Sequence, residues 1–217
     1  MQREMNRQAI IITGGEGPLK LPKSLKRPGD FVICADSGLD LANRLDIACD
    51  LWVGDFDSTA NSPHDNTMEI WQSVEDQEYS DTELALLAAA ERGFSQYVLI
   101  GGGGGRLDHL LHTFGCFDRH GAPTCWYTRS ETLYLVTDHK EFEGLQVGQV
   151  VSFLPAILSQ STTVTAPQLA WPLQRRVVKW DGFSLSNRCT AASLSVQVED
   201  GPGVLVSFSV APGEGEW

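Results

Sequence analysis

Four short runs of apolar, mostly β-branched residues in the first half of the chain each stop abruptly at glycine or aspartate. Ala9 to Thr13 runs into Gly14-Gly15-Glu16-Gly17, Phe31 to Ala35 into Asp36-Ser37-Gly38, Leu51 to Val53 into Gly54-Asp55-Phe56-Asp57-Ser58, and Tyr97 to Ile100 into Gly101 to Gly105. Continuous apolar runs of this length suit strands buried on both faces, as in a parallel sheet. Open α/β sheets bind ligands beyond the carboxyl ends of their strands, so the Gly/Asp clusters are expected along one edge. Helical patterns lie between them. Asp81 to Arg92 opens with Ser80 and Glu83 at capping-box spacing and closes at Gly93. A second pattern, Leu107 to Phe117, puts Leu107, Leu110, Leu111 and Phe114 on one face.

Beyond about Tyr127 the pattern changes to alternating Ser, Thr and Val rich runs: Val147 to Leu154, Ser193 to Val198 and Val204 to Val210. Turn signals separate them at Glu143-Gly144, Asp181-Gly182 and Glu199 to Gly203, and no helix is expected there. The expected fold class is therefore α/β followed by all-β. Residues 1–128 would form a mostly parallel sheet flanked by helices, and residues 129–217 an antiparallel β-sandwich. Val150 to Gln174 carries no charge, but Pro155, Pro167 and Pro172 break it, so it reads as strands and turns rather than a membrane span.

Charge excludes one function class. Among 217 residues, 16 Lys and Arg oppose 28 Asp and Glu, a net charge of −12 that repels phosphate backbones, so a general nucleic-acid binder is not expected. The excess is local: between Asp30 and Glu83, fourteen acidic side chains face the single base Arg44. Such a block must be solvated, spread apart, or neutralised by metal ions or cationic ligands. The five cysteines, Cys34, Cys49, Cys116, Cys125 and Cys189, show neither C-x-x-C nor zinc spacing and read as reduced structural thiols. Met1 to Gln8 is polar and Ala9 to Ile12 is too short for a signal-peptide core, so a cytoplasmic location is the expectation.

Three stretches carry chemistry. Asp55 and Asp57, two apart beyond a strand, project to the same side in extended chain and suit Mg²⁺, although an Asx turn explains them equally. Asp76 to Glu83 supplies acids at a helix mouth; helix capping accounts for Asp81 and Glu83, but the whole cluster exceeds what one helix end needs. Gly101 to Gly105 followed by Arg106-Leu107-Asp108-His109 leaves amide groups able to approach an anion where a helix begins. There is no Walker loop and no dinucleotide fingerprint, so this would be a phosphate site of another kind. His112 reads as a core or surface histidine. No nucleophile elbow, zinc-protease motif or Cys/His nucleophile pattern is present.

Ala35-Asp36-Ser37-Gly38, Gly54 to Ser58, Asp76 to Asp81 and the glycine run ending in Arg106-Leu107-Asp108 together resemble the thiamine pyrophosphokinase family. The resemblance covers nearly the whole chain, with Leu169 to Leu173 and Ser184 to Asn187 similar to motifs of the family's β-rich thiamine-binding domain. Departures are Ser37 for a commoner Gly, Ser80 for Thr, Gln77 where many bacterial members carry Lys, and Thr113 where Asn is frequent. The resemblance implies an ATP-dependent diphosphotransferase that makes thiamine diphosphate and AMP from ATP and thiamine. It also implies Mg²⁺ and a homodimer whose active sites join the α/β domain of one subunit to the β domain of the other. Asp55, Asp57 and Asp81 would hold the metal, and Asp36 or Asp57 would take a proton. Gly15, Ser37, Ser58, Gln77, Glu78, Ser80, Gly104, Gly105, Arg106 and Asp108 would line the nucleotide side, and Trp171, Ser184, Ser186 and Asn187 the thiamine side. Two rival functions fit the same residues: a Mg²⁺-dependent nucleotide pyrophosphatase, and a non-catalytic thiamine- or nucleotide-binding protein.

Overall fold

The computed structural model describes residues 7–56, 68–72 and 79–210. The chain divides into two compact units. One takes in the described residues up to Thr113 together with Trp126–Arg129, and the other takes in Phe114–Cys125 and the described residues from Ser130 onward.

In the first unit the four apolar runs are strands, β1 (Ala9–Ile12), β2 (Phe31–Ala35), β3 (Leu51–Gly54) and, after an intervening edge strand β4 (Glu69–Gln72), β5 (Tyr97–Ile100). They pair in parallel in the order β5-β1-β2-β3-β4. Every residue of β1, β3 and β5 is buried, as runs without alternation require. The edge strand β4 is largely exposed, with Ile70 open to solvent, which is why it carries no continuous apolar run.

Helices α1 (Gly38–Arg44) and α2 (Asp81–Glu91) pack on this sheet, α1 against β1 and β2 and α2 against β1, β2 and β3. Ser80 caps α2 as its spacing indicates: its Oγ accepts the Glu83 N–H at 3.3 Å. Gly93, with φ 78°, closes the far end. A third helix, α3 (Leu107–His120), differs from expectation in its face. Leu107 and Leu111 are exposed, whereas Thr113, Cys116 and Phe117 are buried. The covered stripe is rotated from the leucines towards Thr113, Cys116 and Phe117.

Hydrogen bonding continues past the strand ends into the loops. Thr13 N–H donates to the Ile100 carbonyl at 2.9 Å, Gly102 N–H to Gly14 at 2.9 Å, and Asp36 N–H to Val53 at 2.8 Å. After α3, β6 (Cys125–Tyr127) offers its Tyr127 carbonyl to Gly101 N–H at 2.9 Å. The backbones here are too close for side chains. A Cβ at Gly38 would lie 2.1 Å from the Ile12 carbonyl oxygen, and one at Gly101 would lie 2.3 Å from that of Thr13. Gly101 also has φ +90°, which other L-residues rarely adopt.

The second unit contains β7 (Glu131–Val136), β8 (His139–Glu143), β9 (Val150–Pro155), β10 (Thr162–Ala166), β11 (Leu173–Val178), β12 (Ser184–Arg188), β13 (Ser193–Asp200) and β14 (Val204–Ser209). All pair antiparallel, in the orders β12-β9-β14-β7 and β11-β10-β13-β8. Residues alternate in burial along β9, β10 and β13, and Phe142, Phe153, Val196 and Phe208 share one core. This is the sandwich expected from alternation. Strand β9 starts at Val150 rather than Val147, because Gly148, with φ 90°, turns the chain and binds the Cys189 carbonyl at 2.8 Å. Burial beside this core lifts the Tyr134 phenol to about 12. None of the five cysteines is in a disulfide, and Cys34, Cys116, Cys125 and Cys189 are buried. Among the described residues no helix is long and apolar enough to cross a membrane.

Two glycine substitutions separate close approach from ordinary helix propensity. Gly38→Ala is expected to lower stability by about 1–3 kcal/mol through overpacking against Ile12. Gly115→Ala, whose Cβ would meet nothing nearer than the Arg119 guanidinium at 3.8 Å, is expected to raise it by up to about 1 kcal/mol. Thermal unfolding midpoints of the two variants measure both, and a wild-type midpoint for Gly38→Ala contradicts the packing described.

Candidate active site

At the carboxyl edge of the parallel sheet a cavity of about 530 Å³ opens between the ends of β1, β2 and β5 and the first turns of α2 and α3. Of the residues singled out from sequence, Gly15, Asp36, Ser37, Ser80, Asp81, Gly104, Gly105, Arg106 and Asp108 line it. Asp55 is exposed, directly after Gly54, and is not among the lining residues. Asp57, Ser58, Gln77 and Glu78 lie outside the described residues.

Asp36 is held in an unfavourable backbone conformation, with φ 43°. Two hydrogen bonds fix it there: its N–H reaches the Val53 carbonyl, and its own carbonyl accepts the Trp52 indole N–H at 3.0 Å. Trp52 in turn packs on Phe56, ring centroids 3.9 Å apart. Left-handed backbone at a non-glycine residue costs of order 1–3 kcal/mol and persists where its surroundings over-determine it. The nearly buried Asp36 side chain is thereby presented to the cavity.

Asp81 is fixed from both sides. The preceding Ser80 hydroxyl pairs with His112 Nε2 at 2.7 Å, and the following Thr82 hydroxyl pairs with that of Thr13 at 2.7 Å. These contacts tie the start of α2 to α3 and to the end of β1. A Cβ built on Gly54 would meet Asp81 Oδ1 at 3.1 Å and Asp36 Cβ at 3.3 Å, so the two carboxylate residues flank one glycine. A hard divalent cation accepts one or two carboxylates together with phosphate oxygens. The donor set fits Mg²⁺, with Asp36 and Asp81 as the candidate ligands lining the cavity.

The glycine run and Arg106 line the same cavity. Gly102, Gly104 and Gly105 all have φ near 70° and expose backbone to the cavity beside Arg106. Asp108 grips the Arg106 guanidinium with both oxygens, at 3.1 and 2.5 Å. That hydrogen-bonded pair lowers the Asp108 pKa and raises that of Arg106, keeping both charged. Glu83, 3% exposed, lies 3.7 Å from His112 Nε2 and forms an ion pair whenever that imidazole is protonated.

Sequence reasoning missed Thr13, Thr82 and Trp52, and set His112 aside as a core or surface residue. His109 and His112 both line the cavity. The Thr82 signal was available in Ser80-Asp81-Thr82-Glu83; the partner hydroxyl, 69 residues away, was not.

The second unit gathers the remaining candidates. Trp171 is 64% exposed, which removes it from the sandwich core. Asn187, 2% exposed, accepts the Trp171 N–H at 3.2 Å and donates to the Trp171 carbonyl at 2.7 Å. Its amide therefore holds the Trp171 segment. Ser184 and Ser186 lie on the same strand, with Ser186 N–H bound to the Ser152 hydroxyl at 3.0 Å. Trp180 is also exposed and packs edge-on against Phe183.

Comparison with known proteins places this geometry in context. Residues 23–119 match the family described as thiamin pyrophosphokinase, catalytic domain. No curated sequence matches the chain. Among solved structures, a thiamin pyrophosphokinase family protein from Enterococcus faecalis is similar over 94% of this chain and 100% of its own, with TM-score 0.70 and 19% identity. Thiamine pyrophosphokinase from Bacillus subtilis is similar over 93% and 98%, with TM-score 0.69 and 20% identity. Thiamin pyrophosphokinase from Candida albicans is similar over 94% and 89%, with TM-score 0.65 and 16% identity. These likenesses give the fold, α/β followed by a β-sandwich. Residues 23–119 are thus similar to a thiamin pyrophosphokinase catalytic domain, and the chain as a whole shares the fold of the solved thiamin pyrophosphokinases.

Proposed function

We propose that the protein transfers the diphosphoryl group of ATP to the primary hydroxyl of thiamine, giving thiamine diphosphate and AMP. The observation that carries this reading is one cavity lined both by the carboxylate residues Asp36 and Asp81 and by a glycine run that ends in Arg106, oriented by Asp108. A triphosphate needs both: cation-mediated grip and direct charge neutralisation.

In this mechanism the thiamine hydroxyl oxygen bonds to the β-phosphorus, the bond from that phosphorus to the α–β bridging oxygen breaks, and AMP leaves. Asp36 or Asp57, whichever carboxylate is not engaged by the metal, takes the hydroxyl proton. Mg²⁺, when bound, supplies Lewis-acid stabilisation of the phosphate charge, with Asp36 and Asp81 as the described ligands and Asp55 and Asp57 as the further candidates from sequence. Arg106, oriented by Asp108, neutralises the transferred or leaving oxygens. The residues 7–113 and 126–129 supply the nucleotide-binding role, and the sandwich supplies thiamine recognition. There the exposed Trp171 face suits a cationic aromatic ligand. The proposal includes a homodimer in which one subunit's nucleotide cavity is completed by the partner's thiamine-binding sandwich, with the protein in the cytoplasm.

Incubation with ATP, Mg²⁺ and thiamine is expected to give AMP and thiamine diphosphate in equal yield and to stop on chelation with EDTA. AMP release independent of thiamine instead identifies a hydrolase, and absence of turnover identifies a binding protein. Asp81→Asn is expected to lower kcat by at least about a hundredfold, the range for losing a transition-state charge contact. Wild-type turnover removes Asp81 from the reaction. Trp171→Ala is expected to raise the KM for thiamine with little change in that for ATP. Asn187→Ala, which releases the Trp171 segment, is expected to shift the same constant in the same direction; a change confined to ATP reverses the roles assigned.

A further inference from the structure

The loop after β1 is a wall with a cavity on each side. Its backbone is locked to the glycine run, with Gly102 N–H on the Gly14 carbonyl and Glu16 N–H on the Gly103 carbonyl at 2.8 Å. Gly15 lines the cavity described above and also a second one, of about 390 Å³, bounded by Glu16, Pro18, Leu19, Arg44 and Arg129.

The two arginines set the character of this second space. Among the described residues the side chain of neither Arg44 nor Arg129 makes a hydrogen bond, ion pair or ring contact. Arg92, Arg106 and Arg175 each have a carboxylate, at Glu69, Asp108 and Glu199 respectively. In a chain with so large an acidic excess, two guanidinium groups lining one cavity without a carboxylate partner leave local positive charge uncompensated. Arg44 alone is explained by its place in the last turn of α1, where a cation is favourable. Arg129, in the chain just past β6, has no such explanation.

Glu16 does not neutralise them. Its side chain lies over the glycine run, with its Cβ, Cγ and Cδ 2.9–3.1 Å from where a Gly104 Cβ would stand. The cavity thus carries two guanidinium groups against one carboxylate, beside an apolar wall from half-buried Pro18 and exposed Leu19. Guanidinium forks match the geometry of phosphate and diphosphate oxygens.

We propose that Arg44 and Arg129 form a second anion site that takes a small organic phosphate or diphosphate, its oxygens on the guanidinium groups and its apolar part against Pro18 and Leu19. This inference stands apart from the activity proposed above, since none of Asp36, Asp81 or Arg106 enters it. The anion has two sources to distinguish: part of a nucleotide reaching over Gly15 from the main cavity, or a separate molecule.

Calorimetric titration of the full chain with pyrophosphate in EDTA tests it. Wild-type protein and Arg106→Gln are both expected to retain the Arg44/Arg129 binding event. Arg44→Gln and Arg129→Gln are each expected to bind about tenfold or more weakly, the range for a charge-assisted hydrogen bond. Arg129→Lys, which keeps the charge, should recover part of the loss. Arg129 is exposed and, unlike Arg44, lies in no last helical turn, so the thermal midpoint of ligand-free Arg129→Gln should stay unchanged. Wild-type affinity in the Arg44→Gln/Arg129→Gln double variant, or no binding to wild type, overturns the proposal. Repeating the titration with Mg²⁺ and a nonhydrolysable ATP analogue already bound supports a separate molecule if affinity is unchanged, and a nucleotide oxygen if the two compete.

Discussion

Backbone against backbone at the carboxyl ends of β1, β2 and β5 is the contact on which the rest of the site depends. The start of α1 sits against Ile12, and the start of the glycine run sits against Thr13, at separations that no side chain at Gly38 or Gly101 would allow. Because of that approach, the loops after β1 and β5, far apart in sequence, share hydrogen bonds instead of diverging from the sheet. The resulting edge is stiff. Five glycines in a row would otherwise cost conformational entropy, and here bonds to Gly14, Glu16 and Tyr127 tie three of them down.

Stiffness matters for the proposed reaction because phosphoryl transfer relies on position and electrostatics more than on reactive side chains. Asp36 owes its placement to a left-handed backbone residue clamped by Trp52 and Val53. Asp81 owes its placement to hydroxyl contacts on its two neighbours. Each such bond contributes about 0.5–1.5 kcal/mol net, which is small for stability but sufficient to hold a helix end in register. The carboxylates share the cavity lining with a guanidinium that is itself oriented by Asp108.

The sheet was legible because burial on both faces leaves no room for polar alternation: β1, β3 and β5 are continuous apolar runs and announce themselves. Strand β4 was not, since an exposed edge puts no such demand on Glu69–Gln72. The capping box at Ser80 was readable locally, but its second use, binding His112, depends on where α3 lies. Leucines at 107 and 111 suggested a buried stripe because periodicity identifies an apolar face without saying whether anything covers it. Trp171 and Asn187 were both visible as thiamine-side candidates. Only the folded chain shows that the amide of Asn187 is occupied by the backbone of Trp171. Long-range pairs of small polar side chains, such as Thr13 with Thr82, leave no local pattern at all.

A crystal structure of the full chain with Mg²⁺, thiamine and a nonhydrolysable ATP analogue tests the central claim most directly. The expected result is a triphosphate lying along Gly102 to Arg106, with a divalent cation between its oxygens and the carboxylates of Asp36 and Asp81. A nucleotide bound away from the edge formed by β1, β2 and β5, or a cation that touches neither carboxylate, contradicts it.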